Sequence, residues 1–169
     1  HHATLYTLLA LQKEFSIRID FVKVLPTGNI DLNHLAEIIN PEQKTLVSLM
    51  HVNNETGAVN DIEKIGQLCH QHHVLFHCDA VQAIGKTEID LQQLPIDFLV
   101  ASAHKFHGPE GVGFAFVRKN LVLQPLLFGG EQEKGWRAGT EAVHQIAGIA
   151  KALETSYRLL TAERKYISE

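Results

Sequence analysis

Ser102-Ala103-His104-Lys105-Phe106-His107-Gly108-Pro109-Glu110-Gly111-Val112-Gly113 decides the fold. Phe98-Leu99-Val100 leads into it, and Val112 to Val117 leads out. Short apolar runs bounded by turn residues read as buried strands. A tight Gly-Pro turn cannot make a parallel crossover, so the second strand is expected antiparallel to its neighbour. One lysine then stands where a buried strand ends. Desolvation favours the neutral amine, the form that makes Schiff bases. The glycines and Pro109 let the backbone turn sharply and approach a ligand. Taken alone, the stretch is better read as a surface loop with a solvated lysine.

A second stretch upstream changes the balance. Val74-Leu75-Phe76-His77-Cys78-Asp79 reads as a strand ending in a carboxylate, with Gln82 three residues on. Alternation puts Cys78 on the face opposite Asp79. Gln82 returns to the side of Asp79 if the chain turns helical. An aspartate beside a lysine-held ring is the arrangement that pyridoxal 5'-phosphate (PLP) needs, because the carboxylate keeps the pyridine nitrogen protonated. The plainer readings are a helix cap for Asp79 and a solvated amide for Gln82.

Asp79-Ala80-x-Gln82, Ser102-x-His104-Lys105 and Gly108-Pro109-x-Gly111-x-Gly113 together resemble the class V, fold-type I PLP enzymes. Met50-His51-Val52-Asn53-Asn54-Glu55-Thr56-Gly57 and Arg137-Ala138-Gly139-Thr140 look like the NifS/IscS group of cysteine desulfurases. The resemblance implies that Lys105 holds PLP and moves protons. His1 matches a histidine that stacks on the ring and shares in proton transfer. Asp79 would pair with the ring nitrogen, while Asn54 and Gln82 would reach the ring oxygen. Ser102 and His104 match phosphate ligands, and Thr140 a threonine that reaches the partner subunit's phosphate. The implied reaction takes L-cysteine to L-alanine, leaving the sulfur on the enzyme as a persulfide. A homodimer and a sulfur acceptor, such as an iron–sulfur scaffold or a tRNA-thiolation protein, are implied with it.

Other class V enzymes (an aminotransferase, a selenocysteine lyase or a kynureninase relative) share part of these motifs. A non-catalytic binding module on the same fold is the alternative from a different class. The resemblance also places residues 1–169 inside one large PLP-binding domain, as a partial copy. The upstream phosphate-binding threonine, the small domain, the substrate-carboxylate arginine and the persulfide-forming cysteine would lie outside these residues. Neither Cys69 nor Cys78 matches that cysteine.

Composition agrees with an ordinary α/β chain. The 169 residues are 45% hydrophobic and carry a net charge of −4, so no basic footprint invites nucleic acid. No apolar run approaches membrane-spanning length and no signal peptide is visible. Two cysteines do not make a disulfide framework, so a reducing, cytoplasmic setting is expected.

The remaining elements follow from periodicity. A helix begins at Ala3, with Leu5, Leu8, Leu9 and Leu11 as its apolar face. Ile17 to Val22 alternates like a strand, and Pro26 to Asn29 reads as a turn. Asp31 caps a short helix stopped at Asn40-Pro41. Thr45 to Met50 reads as a strand covered on both sides. Asp61 to His73 is an amphipathic helix that buries Cys69, so the neighbouring histidines read as helix surface, not as a metal site. The residues from Ile84 to Leu94 form a short connection. A last helix starts at Glu141, with Val143, Ile146, Ala147, Ala150, Leu153, Tyr157 and Leu160 as its stripe and Thr140 as its N-cap. Glu163 to Glu169 is expected to fray. The alternation predicts a three-layer α/β/α fold around a mostly parallel, mixed sheet.

Overall fold

A computed structural model describes residues 1–169. The elements run α1 (His2–Phe15), α2 (Leu32–Ile38), β1 (Leu46–Met50), α3 (Ile62–Gln71), β2 (Leu75–Asp79), β3 (Phe98–Ser102), β4 (Gly113–Val117) and α4 (Val143–Ser168). Strand order in the sheet is β1-β2-β3-β4. β1, β2 and β3 are parallel, and β4 returns antiparallel to β3. The expected mixed, mostly parallel sheet is therefore present, and the Gly-Pro turn reverses the chain as its length dictates.

The pleat sorts the sheet into two faces. Val47, Phe76, Cys78, Leu99 and Ala101 share one face through their registers, and all are buried. Ile62, Ile65 and Cys69 of α3, Leu35 of α2 and Ile149 of α4 join them in one core. Burying a Leu, Ile or Phe side chain fully is worth roughly 1.5–3 kcal/mol, so this face carries most of the fold's stabilisation. The other face pairs Ser48 with His77 and Met50 with Asp79. Cys78 thus turns away from Asp79, as alternation required.

Two acidic caps start helices, Asp31 as expected and Asp61 in addition. Asp31 accepts from the N–H groups of Asn33 and His34, and Asp61 accepts from that of Lys64. Each satisfies donors that the first helical turn leaves open.

Several elements depart from the periodicity. Ile17 to Val22 forms no strand; beyond it, only Val24 bridges to Ile30. Alternation alone makes no strand without a neighbour to receive its hydrogen bonds. β1 is not covered on both sides: it is an edge strand with only Val47 buried. In α1, Leu9 and Leu11 are exposed and no residue is buried.

The apolar stripe of α4 holds in its second half, where Leu153 and Tyr157 are half-buried and Leu160 is buried, and departs in its first. Val143, Ile146, Ala147 and Ala150 are exposed, while Ile149, Ser156 and Leu160 are buried. Small residues decide this. A Cβ on Gly148 would stand 2.7 Å from Pro109 Cγ, and Ser156 Oγ donates to the Phe106 carbonyl at 3.3 Å. Close approach of the helix to the Lys105 turn outweighs its larger apolar side chains. The helix also continues to Ser168, where fraying was expected.

Candidate functional site

The C-terminal ends of β1, β2 and β3 lie along one edge of the parallel sheet, where ligands of open α/β sheets bind. Each end delivers a candidate residue. β2 ends on Asp79, β3 ends on Ser102, and β1 runs into the loop carrying Asn54.

Asp79 is 8% exposed, and its Oδ1 accepts from the Val81 N–H at 3.1 Å. It therefore caps the following turn as well. Its Oδ2 takes part in no hydrogen bond within the chain, so a nearly buried residue keeps one accessible carboxylate oxygen free for a ligand. A cleft of about 1000 Å³ is lined by Asp79, Asn53 and His1, among others. His1 caps α1, its Nδ1 accepting from the Ala3 N–H at 3.1 Å. The candidate histidine and the candidate carboxylate thus face one space.

Ser102 opens a 3₁₀ turn, Ala103–Phe106, that carries His104 and Lys105. Ser102 makes no side-chain cap bond, so its hydroxyl is uncommitted. Lys105 is half-buried and belongs to none of the ion pairs. His104 is exposed. Ala103 and Phe106, on either side of the pair, are wholly buried and hold the turn down. His107 ends it in the left-handed region at φ 63°. The return strand presses close: a Cβ on Gly113 would sit 2.4 Å from the Ala101 carbonyl oxygen.

The Asn-rich loop is both a turn and a candidate site. Asn53, not Asn54, builds it. Its Oδ1 accepts from the N–H groups of Glu55 and Thr56, and its own N–H donates to Ala58 O at 2.9 Å. Asn54 is left exposed, its Nδ2 donating to Glu55 Oε1. Asn60 closes the base: it is buried, donates to Met50 O at 2.9 Å and accepts from Ile30 N at 3.0 Å. Sequence reasoning passed over Asn53 and Asn60 as supports. The Asn-rich run ending in Gly57 signalled a turn, but not which asparagine builds it.

Gln82 lies half-buried in the turn after β2, and its Oε1 accepts from Lys86 Nζ at 3.3 Å. It is not simply solvated. Thr140 lies in an exposed loop. It is not the helix cap expected of it: α4 starts after Ala142 with no side-chain cap.

Two histidines beside the site are perturbed. Burial lowers the pKa of His51, and burial lowers that of His77 against a raising contribution from Asp79. His77 Nδ1 is hydrogen-bonded to Ser48 Oγ at 2.8 Å, while His51 Nδ1 has no partner. The unfolded chain binds protons at the ordinary value of about 6.5, and the folded chain only below it. Stability should therefore fall as pH drops through about 6.5, levelling off below the lowered folded values. Urea midpoints across that range should show a shallower fall in His77→Gln than in the wild type. Parallel pH profiles would contradict this.

Both cysteines are core residues. Burial, the largest cause in each case, pushes the Cys69 and Cys78 thiols up to about 12. Burial thus disfavours a thiolate at neutral pH at either position.

Similarity to known proteins agrees with this geometry. The family model "Aminotransferase class-V" matches residues 1–165. The chain is 38% identical over 171 aligned residues to cysteine desulfurase IscS of Mannheimia succiniciproducens, covering all of this chain and 42% of the relative. The corresponding enzyme of Ruthia magnifica is 40% identical over the same shares. A solved NifS-like protein superposes with a TM-score of 0.93 at 38% identity, across 98% of this chain and 45% of that one. DndA from Streptomyces lividans gives a TM-score of 0.86 at 33% identity, across 96% and 46%. The chain thus spans less than half the length of these relatives. With the motifs in order, the strand ends aligned and the family model matched almost end to end, the chain belongs to the class-V aminotransferase family.

Proposed function

We propose that these residues form the PLP-binding part of a longer cysteine desulfurase. The observation that carries the reading is the set of groups along one sheet edge: a buried carboxylate with a free oxygen, an uncommitted lysine amine, and a free hydroxyl beside an imidazole. This set suits a pyridine ring bearing an aldehyde and a phosphate. When bound, PLP withdraws electrons from the substrate's α-carbon. Asp79 would hold the proton on the ring nitrogen, and Lys105 would anchor the cofactor and carry protons at Nζ. Ser102 and His104 would donate to the phosphate, and Asn54 and Gln82 to the ring oxygen. His1, across the cleft, would cover the ring and share in proton transfer.

L-cysteine is the proposed substrate. The IscS relatives are named cysteine desulfurases, and a solved neighbour, SspA in complex with cysteine, superposes with a TM-score of 0.85. The products would be L-alanine and enzyme-bound persulfide sulfur, passed to an acceptor such as an iron–sulfur scaffold. A homodimer fits the exposed apolar run containing Val122, Leu126 and Phe128, which adjoins the loop bearing Thr140. Under this reading residues 1–169 are a single partial PLP-binding domain. No helix is long and apolar enough to cross a membrane, which accords with the proposed cytoplasmic setting.

The test uses the chain and its longer parent side by side. With PLP and L-cysteine, the parent should form alanine and sulfide under a reductant. The 169 residues alone should release none above free PLP, because both their thiols are buried. Sulfide release from the chain at the parent's rate would overturn the assignment of the nucleophile. A parent that leaves cysteine unchanged would overturn the proposed activity.

A further inference from the structure

Lys86 stands one turn beyond Gln82, outside every motif discussed above. Its backbone is fixed at several points. The Lys86 N–H donates to Ala83 O at 2.9 Å, and its carbonyl accepts from Arg164 Nε of α4 at 3.1 Å. Gly85, immediately before it, holds a left-handed φ of 78°. A Cβ at Gly85 would stand 2.7 Å from Phe106 Cβ and 3.2 Å from Ser156 Cβ, so this glycine is clamped between the Lys105 turn and α4. From that anchored backbone the Lys86 side chain reaches back to Gln82, its Nζ donating to Oε1 at 3.3 Å.

An ammonium has donors and no acceptor. It can therefore pair only with the oxygen of the Gln82 amide, never with its nitrogen. Gln82 Nε2 makes no hydrogen bond within the chain, and its two protons remain available. Lys86 is thus the one group within the chain that fixes which end of the amide is which.

We propose that Lys86 is a positioning residue that sets the polarity of the Gln82 amide, so that Gln82 presents only donors to the cofactor's ring oxygen. This rests on the PLP reading above. The arrangement favours a ligand offering an acceptor or anionic oxygen at that point and disfavours one offering a hydroxyl donor. Arg164 and Gly85 act at one remove, by holding the Lys86 backbone where its side chain can span one turn.

The test has one arm that needs no cofactor. In the apo chain, the Gln82 side-chain amide is assigned in a ¹⁵N–¹H spectrum by its loss in Gln82→Glu. A charged donor on the amide oxygen deshields the nitrogen and slows rotation about the C–N bond. In Lys86→Met the Gln82 resonance should move upfield and its two protons should interchange faster, while Lys86→Arg should restore both. The second arm is PLP titration. Lys86→Met should bind PLP about three- to tenfold more weakly, the worth of one hydrogen bond, with Lys86→Arg close to wild type. An unmoved Gln82 resonance in Lys86→Met would overturn the proposal, and so would PLP affinity equal to wild type. A wild-type chain that does not bind PLP would overturn the cofactor reading separately, with the first arm still deciding the Lys86–Gln82 pairing.

Discussion

Replacing Lys105 with alanine should abolish the visible absorption band that the wild-type chain develops with PLP. The expected effect is loss of the site-specific band, not a shift, because at this turn only the Lys105 amine can form the covalent bond that the band requires. Lys105 is suited to it. It is half-buried in a turn pinned by Ala103 and Phe106, and it is committed to no carboxylate. Exposed lysines such as Lys119 also react with aldehydes, so the bond should be reduced with borohydride and the labelled peptide mapped. Label on the Lys105 peptide in the wild type, and none on any single peptide in the variant, is the expected pattern. A band of wild-type intensity in Lys105→Ala would remove the lysine from its assigned place.

Truncating Phe106 should produce the largest loss of stability at the site. Its side chain is 1% exposed, it abuts Gly85, and its carbonyl accepts from Ser156 of α4. A Phe→Ala change in such a place typically costs about 3–5 kcal/mol through lost transfer energy and the cavity left behind. That is a large share of the roughly 5–15 kcal/mol available to a domain. Urea denaturation of Phe106→Ala should show a much lower midpoint with little change in slope. A cost under about 1 kcal/mol would mean that the turn is held by other contacts. The structure places the residue after Lys105 at the meeting point of the β2 turn, the β3 turn and α4.

What the sequence disclosed depended on where the information sits. The parallel strands announced themselves because Val47, Phe76 and Leu99 lie in short apolar runs that only burial explains. The antiparallel return was legible because Gly108 and Pro109 leave no length for a crossover. The places of Asp79 and Ser102 at strand ends, and of Lys105 in the turn just beyond, were legible from the same apolar runs. The misreadings involve relations between distant segments. Ile17 to Val22 has a strand's alternation, but its neighbours offer it no ladder. The first half of α4 turned because close approach at Gly148 and Ser156 outweighed Val143 and Ile146, and spacing within one helix does not record what packs against it. Thr140 is a good capping residue, yet the helix starts after Ala142 with no side-chain cap. The supporting role of Asn53 over Asn54 depends on which side chain folds back, a choice that two identical neighbours do not disclose.

The reversal at β4 has a kinetic consequence. In the hairpin, Ser102 needs only to find Gly113, a few residues along the chain. β1 must wait for α3 to form before Leu46 can meet Leu75, and β2 must wait for the following connection before His77 meets Phe98. Closing short loops costs less entropy than closing long ones, and local pairings form faster than parallel crossovers. The lysine's turn therefore forms early, whereas the carboxylate reaches it only when the slower parallel pairing is complete. Under the proposed PLP reading, the anchor would stand in place before its electronic partner during refolding, and a half-assembled sheet would react with the cofactor before it could use it.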